Sequence, residues 1–182
     1  MRRLSICLML PSVFAVMLQG CGKVQRTHYA YEPELAKYKP AGQACKSPRL
    51  FGSVGYLDVL YQPDKKPQQP HSTNWTATAW KAERINGKFV IWSDTETKHT
   101  RLSVTDMVGK DGHRIASSHI RPHFQRYVLA DGKPFADIID TATHIDIPER
   151  TIRPIWLMVD VPADAAAGVY QGKLTAQANE GK

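Results

Sequence analysis

No twelve-residue stretch beyond residue 21 keeps apolar side chains at helical spacing. Short runs alternate apolar with polar residues instead, and Gly- or Pro-bearing breaks separate them. Alternation is the period of a strand, whose successive side chains point to opposite faces. Leu50 to Tyr61 gives a first apolar run, and Trp75 to Arg84 alternates. Phe89-Val90-Ile91-Trp92 and Ile155 to Val161 are continuous apolar runs, rich in residues that favour strands. Leu102 to Thr105, Ile120 to Leu129 and Ala136 to Ile139 read as further short strands. Pro122, which has no N–H to give a ladder, limits its strand to an edge or a bulge. Val169 to Ala176 alternates with Tyr170, Gly172, Leu174 and Ala176 on one face. Asn86-Gly87, Asp111-Gly112 and Asp131-Gly132 are expected as tight turns, since a type I′ turn needs positive φ at both central residues. The expectation is an all-β fold over residues 50–182, an antiparallel β-sandwich of jelly-roll or immunoglobulin-like kind.

The first 49 residues read differently. Arg2 and Arg3 precede an apolar stretch from Leu4 to Met17 that Ser5, Pro11 and Ser12 interrupt. It is shorter than the roughly 20 apolar residues that a bilayer-spanning helix needs. A secretory signal is the expected reading. Leu18-Gln19-Gly20-Cys21 follows and resembles the lipobox of bacterial lipoproteins, where cleavage precedes the Cys and lipid is attached to its sulfur. Residues 1–20 are therefore expected as a lipoprotein signal peptide, with Cys21 the lipidation site. Residues 21–49 are polar and carry Pro33, Pro40 and Pro48. They are expected as a flexible tether. The implied location is the bacterial cell envelope, lipid-anchored, with the outer membrane as the favoured face. Several acyl chains make such an anchor stable where a single chain does not.

Cysteine and charge exclude more than they suggest. Cys7 falls within the signal and Cys21 is the lipid site, so Cys45 has no partner for a disulfide. The sandwich must stand on its apolar core. Removing Arg2 and Arg3 leaves 22 basic and 17 acidic residues, a net charge of +5. The basic residues are spread along the chain, so a nucleic-acid footprint is absent.

Chemistry-bearing constellations are sparse. Asp137, Asp140, Asp146 and Glu149 cluster in sequence, but a glycosidase needs two carboxylates about 5 to 10 Å apart across a cleft. His119 and His123 would share a face of a strand, without a third metal ligand. No Gly-x-Ser-x-Gly elbow and no nucleotide-type glycine loop occurs. No cofactor or metal is expected. Aromatic residues are the remaining signal, because a sugar's C–H face packs on an aromatic ring. Trp92 and Trp156 lie in apolar strands and are expected in the core. Trp75 and Trp80 are the candidate carbohydrate-binding residues.

Certain stretches together resemble a known family. They are Trp80-Lys81-Ala82-Glu83-Arg84, Ile91-Trp92-Ser93, Gln125-Arg126-Tyr127-Val128 and Arg153-Pro154-Ile155-Trp156-Leu157. The last runs into Asp160-Val161-Pro162-Ala163-Asp164 and Gly168-Val169-Tyr170-Gln171-Gly172. From about Val54 to Ala178 the chain resembles the N-terminal β-sandwich domain of glycoside hydrolase family 123. In that family the sandwich precedes a (β/α)₈ barrel that holds the chemistry. The resemblance implies β-N-acetylgalactosaminidases in which the substrate's acetamido oxygen attacks, oriented by an adjacent Asp-Glu pair. This chain contains no Asp-Glu dipeptide and stops at Lys182, where the barrel would begin. The expectation is a non-catalytic accessory domain without catalytic residues of its own. Its implied partners are the membrane, a glycan, and a barrel in cis or in trans. The alternative is a stand-alone carbohydrate-binding or scaffolding envelope lipoprotein.

Overall fold

The computed structural model describes residues 4–9 by their backbone, and residues 50–67 and 71–178 in full. The strands, in chain order, are β1 (Leu4–Met9), β2 (Leu50–Gly55), β3 (Asn74–Ala79), β4 (Arg84–Ser93), β5 (Thr97–Val104), β6 (Met107–Gly109), β7 (Arg114–Ile115), β8 (Ile120–Ala130), β9 (Lys133–Ile139), β10 (His144–Ile147), β11 (Ile152–Asp160) and β12 (Val169–Gln177). They form two sheets. A five-stranded sheet runs β2-β4-β11-β8-β9. A seven-stranded sheet runs β10-β5-β12-β1-β3, with β6 beside β12 and β7 beside β6. Every pairing is antiparallel except β1 beside β12. This is the sandwich that the alternating runs predict. Cys21 and the tether of residues 21–49 lie outside the described residues, as does most of the signal stretch.

The core lies between the sheets. Phe89, Ile91, Phe124, Ile155, Leu157 and Val159 of the five-stranded sheet meet Ala79, Met107, Ile145, Ile147, Tyr170 and Leu174 of the other. A second, smaller cluster of Tyr61, Val90, Trp92 and Ile152 is joined by half-buried Phe51. The two clusters take alternate residues of β4: Phe89 and Ile91 go to one, Val90 and Trp92 to the other. That explains the unbroken apolar run of β4. A strand covered on both faces has no polar side to alternate with.

Several sequence expectations need correction. Asn86-Gly87 is not a turn. Both residues lie inside β4, opposite Met158 and Leu157 of β11. A Cβ on Gly87 would sit 2.9 Å from Cε2 of the Trp75 ring, so the glycine admits a packed aromatic ring rather than a turn. The chain reverses earlier, at Trp80–Glu83. There Ala82 takes φ +59° and the Glu83 N–H donates to the Trp80 carbonyl. Asp131-Gly132 is the expected hairpin turn, with φ of +51° and +73° between the paired Ala130 and Lys133. Pro122 lies in a strand with neighbours on both sides. However, β8 pairs with β11 over Ile120–Phe124 and with β9 only from Gln125 onward. At Pro122 one side of the strand is open, so the missing N–H costs no ladder bond. The first apolar run is a strand only as far as Gly55.

Candidate functional site

After β2 the chain leaves the sheet and crosses over the second cluster. Three hydrogen bonds fix its path, two of them between backbone groups. The Ala136 N–H donates to the Tyr61 carbonyl at 2.9 Å, and the Ile152 N–H to the Pro63 carbonyl at 2.9 Å. The Tyr56 N–H donates to the Tyr61 hydroxyl at 3.0 Å. Farther on, Lys66 Nζ pairs with Asp94 at 2.9 Å.

Beneath the crossing sits Lys88, only 2% exposed. Its ammonium donates to the carbonyls of Leu57 at 3.0 Å and Val59 at 2.9 Å. It also lies 5.3 Å from the centroid of the Trp156 ring and 5.8 Å from that of Tyr61. A buried ammonium is costly unless its donors and charge are met. Two carbonyls and two aromatic faces meet them here. Burial still pushes the Lys88 pKa below the ordinary lysine value, with Asp137 and Asp58 opposing that shift. Burial pushes the Tyr61 hydroxyl upward. Sequence reading missed Lys88. The available signal was a lysine sharing the face of Val90 and Trp92 in a strand apolar on both sides.

Tying down the backbone of this crossing turns its apolar side chains outward. Tyr56 is 73% exposed, Leu60 52% and Leu57 48%, with Val59 also exposed. Of these, Tyr56, Val59 and Leu60 border a cleft of about 670 Å³ that is also lined by Ser53, Val54, Tyr61, Phe135 and polar residues that include Gln62, Lys65, Lys66 and Asn74. No Asp or Glu lines it among the described residues. The cleft offers apolar area, hydroxyls and ammonium groups. It has no pair of carboxylates for general acid and base catalysis.

The sequence-derived candidates lie elsewhere. Trp75 is half-buried against the main core. Its ring is edge-on to Phe89 at 6.3 Å and lies over Gly87. Trp80, at the turn after β3, is 43% exposed. The structure brings neither ring to the cleft lining. Trp92 is buried, and Trp156 donates its indole N–H to the Asn86 side chain at 3.2 Å. The carboxylate cluster divides among structural tasks. Asp140 accepts from Arg126 at 2.9 Å and from the Ala142 N–H, while Asp146 accepts from the His99 N–H. His119 ends a 3₁₀ turn at Ser117–His119 rather than extending the strand, so it does not share a strand face with His123. His123 Nδ1 lies 3.1 Å from the Asp140 carbonyl. Among the described residues, no group of three His, Cys, Asp or Glu side chains is placed to hold a metal.

With this geometry established, comparison with known proteins is informative. The family described as glycoside hydrolase 123 N-terminal domain matches residues 54–178. Among solved structures, the chain is similar to a family 123 glycoside hydrolase from Clostridium perfringens, whose structural analysis concerns glycolipid glycan hydrolysis. Identity is 24% and the TM-score 0.62, over 73% of this chain. The match spans 25% of that enzyme's chain, so this chain corresponds to about a quarter of it. No curated protein matches.

Proposed function

We propose that this chain, which belongs to the glycoside hydrolase 123 N-terminal domain family, is a non-catalytic accessory sandwich that supports or positions a catalytic (β/α)₈ barrel in glycan degradation. The observation that carries this reading is the apolar rim of Tyr56, Leu57, Val59 and Leu60. A contiguous apolar patch on a folded surface marks a contact site more often than an accident. The Lys88 clamp and the backbone bonds of the crossing hold that rim in place, so it does not fold back into the core. The barrel would carry the chemistry, with a terminal N-acetylgalactosamine as the substrate class that the family implies. A lipid on Cys21 would keep the assembly at the envelope surface.

The test joins the chain to a family 123 barrel and replaces Leu57 and Leu60 with Ser. Loosened packing between the two parts is expected, read as easier proteolytic cutting between them and a lower Tm of the barrel. Turnover per intact barrel should remain. A parent and variant that behave identically would exclude the rim as the contact. Hydrolysis of a chromogenic N-acetyl-β-galactosaminide by the chain alone would exclude the accessory role.

One observation favours the carbohydrate-binding alternative: Trp80 presents a ring at 43% exposure. On that reading Trp80→Ala abolishes retention on an N-acetylhexosamine glycan column. Trp75→Ala acts instead through stability, since its ring packs against Phe89 and Gly87.

A further inference from the structure

The crossing after β2 covers only one half of the outer face of the five-stranded sheet. On β4, Lys88, Val90 and Trp92 take that face and are buried, as is Ile152 of β11. Farther along the same face the cover ends. Arg84 of β4 is exposed, and Asn86 of β4, Trp156, Met158 and Asp160 of β11, and Arg121 and His123 of β8 are half-buried. The register sets them in rows across the sheet. Lys88, Trp156 and His123 form one, Asn86, Met158 and Arg121 the next, and Arg84 stands beside Asp160. The covered and open halves adjoin at Lys88. Its ammonium reaches the Leu57 and Val59 carbonyls on one side and the Trp156 ring on the other.

The open half carries an unbalanced charge. Arg84 Nε donates to one oxygen of Asp160 at 2.5 Å, and Arg121 Nη2 donates to the other at 2.5 Å. Two guanidiniums thus share one carboxylate. Apart from a longer bond from Arg84 Nη2 at 3.4 Å, neither makes another hydrogen bond among the described residues. One positive charge and several N–H donors are left over, and a second carboxylate would meet both. Beside them the Trp156 indole N–H is already given to Asn86, and Met158 has no polar group to offer. The middle of this face therefore suits an apolar side chain rather than sugar hydroxyls. Aromatic residues, Met and Arg are the types that protein interfaces gather at their cores.

The chain's own remaining residues match this charge poorly. Those outside the described ones carry nine Lys or Arg and three Glu, an excess of the same sign as the face. We infer that the open half is an interaction surface for an acidic patch of a protein partner. The partner places a carboxylate by Arg84 and Arg121 and an apolar side chain on Met158 and Trp156. Resting on the accessory reading above, that partner is the catalytic barrel, and its contact runs from the Tyr56-to-Leu60 rim onto the sheet.

The experiment is hydroxyl-radical footprinting of the full chain, alone and joined to a family 123 barrel. Met, Trp and Tyr side chains oxidise readily where water reaches them, so mass spectrometry reads the cover at Met158, Trp156 and Tyr56 separately. Joining the barrel should slow all three by roughly fivefold or more, because an interface core excludes water. Arg84→Gln together with Arg121→Gln should restore oxidation at Met158, while buried Met107 stays protected and reports an intact fold. Cover of Met158 that survives both substitutions would overturn the role given to charge. Slowing at Tyr56 alone would overturn this inference and leave the accessory reading standing, whereas slowing at none of the three would remove both. Met158 as slow as Met107 in the full chain alone would overturn the inference in favour of cover by the chain's own residues. Slowing by a sulfated oligosaccharide, and not by the barrel, would overturn the choice of a protein partner.

Discussion

Lys88 shows how one side chain can hold a surface in shape. Its two carbonyl acceptors, Leu57 and Val59, belong to the segment that displays the apolar rim. Lys88→Met keeps the length of the stem but leaves both carbonyls without their donor. A cost of about 1–3 kcal/mol per unsatisfied buried group is expected. The variant should unfold at lower denaturant and be cut faster by protease between Tyr56 and Tyr61. Unchanged values in both assays would remove Lys88 from its clamping role. Asp160 gives a prediction in pH. Its hydrogen bond from Arg84, and a second from Arg121, hold its carboxyl below the usual carboxylate range. A carboxylate with a depressed native pKa binds its proton more weakly folded than unfolded. Its stabilisation is therefore complete above the unfolded value and is lost as pH falls through the native one. Asp160→Asn should flatten the fall in stability below about pH 4 that the parent shows in denaturant titrations. Neither residue's role was legible in the sequence. Lysine type alone does not say that a strand side chain is buried, and Arg84 and Asp160 stand far apart in the chain.

At the scale of elements, alternation and turn chemistry revealed most strands but not what covers them. The continuous run Phe89–Trp92 was readable as buried. That its second face lies under the crossing after Gly55, and not under another sheet, is a tertiary fact. Asn86-Gly87 misled because the dipeptide satisfies the requirements of a hairpin turn. Here the glycine serves Trp75, and the reversal falls to Ala82 at positive φ. Gly87→Ala should therefore cost about 1–3 kcal/mol, as inserted core atoms do. The cost should shrink in a Trp75→Ala background, a coupling that a double-mutant cycle reads directly. Additive losses would mean that the ring and the glycine are not in contact. β11, with a strand on each side and a buried face, should show the slowest amide exchange in the domain.

For the molecule as a whole, the strand-rich pattern and the Arg153-to-Gly172 series pointed to the sandwich and its family. They could not point to the rim or the cleft, which arise from how a loop crosses one sheet. The candidate tryptophans followed from aromatic type alone, and type does not decide which face a ring takes. What the assembled molecule offers is a sandwich with an outward apolar rim and, beside it, a cleft that no carboxylate among the described residues lines. The direct measurement is size-exclusion of the gently solubilised native envelope fraction, followed by an antibody to residues 50–178 and by N-acetyl-β-galactosaminidase assay. The signal and the activity are expected to elute together, at a size well above that of this chain alone. An antibody signal at the size of this chain alone, separated from all hydrolase activity, would contradict the supporting role.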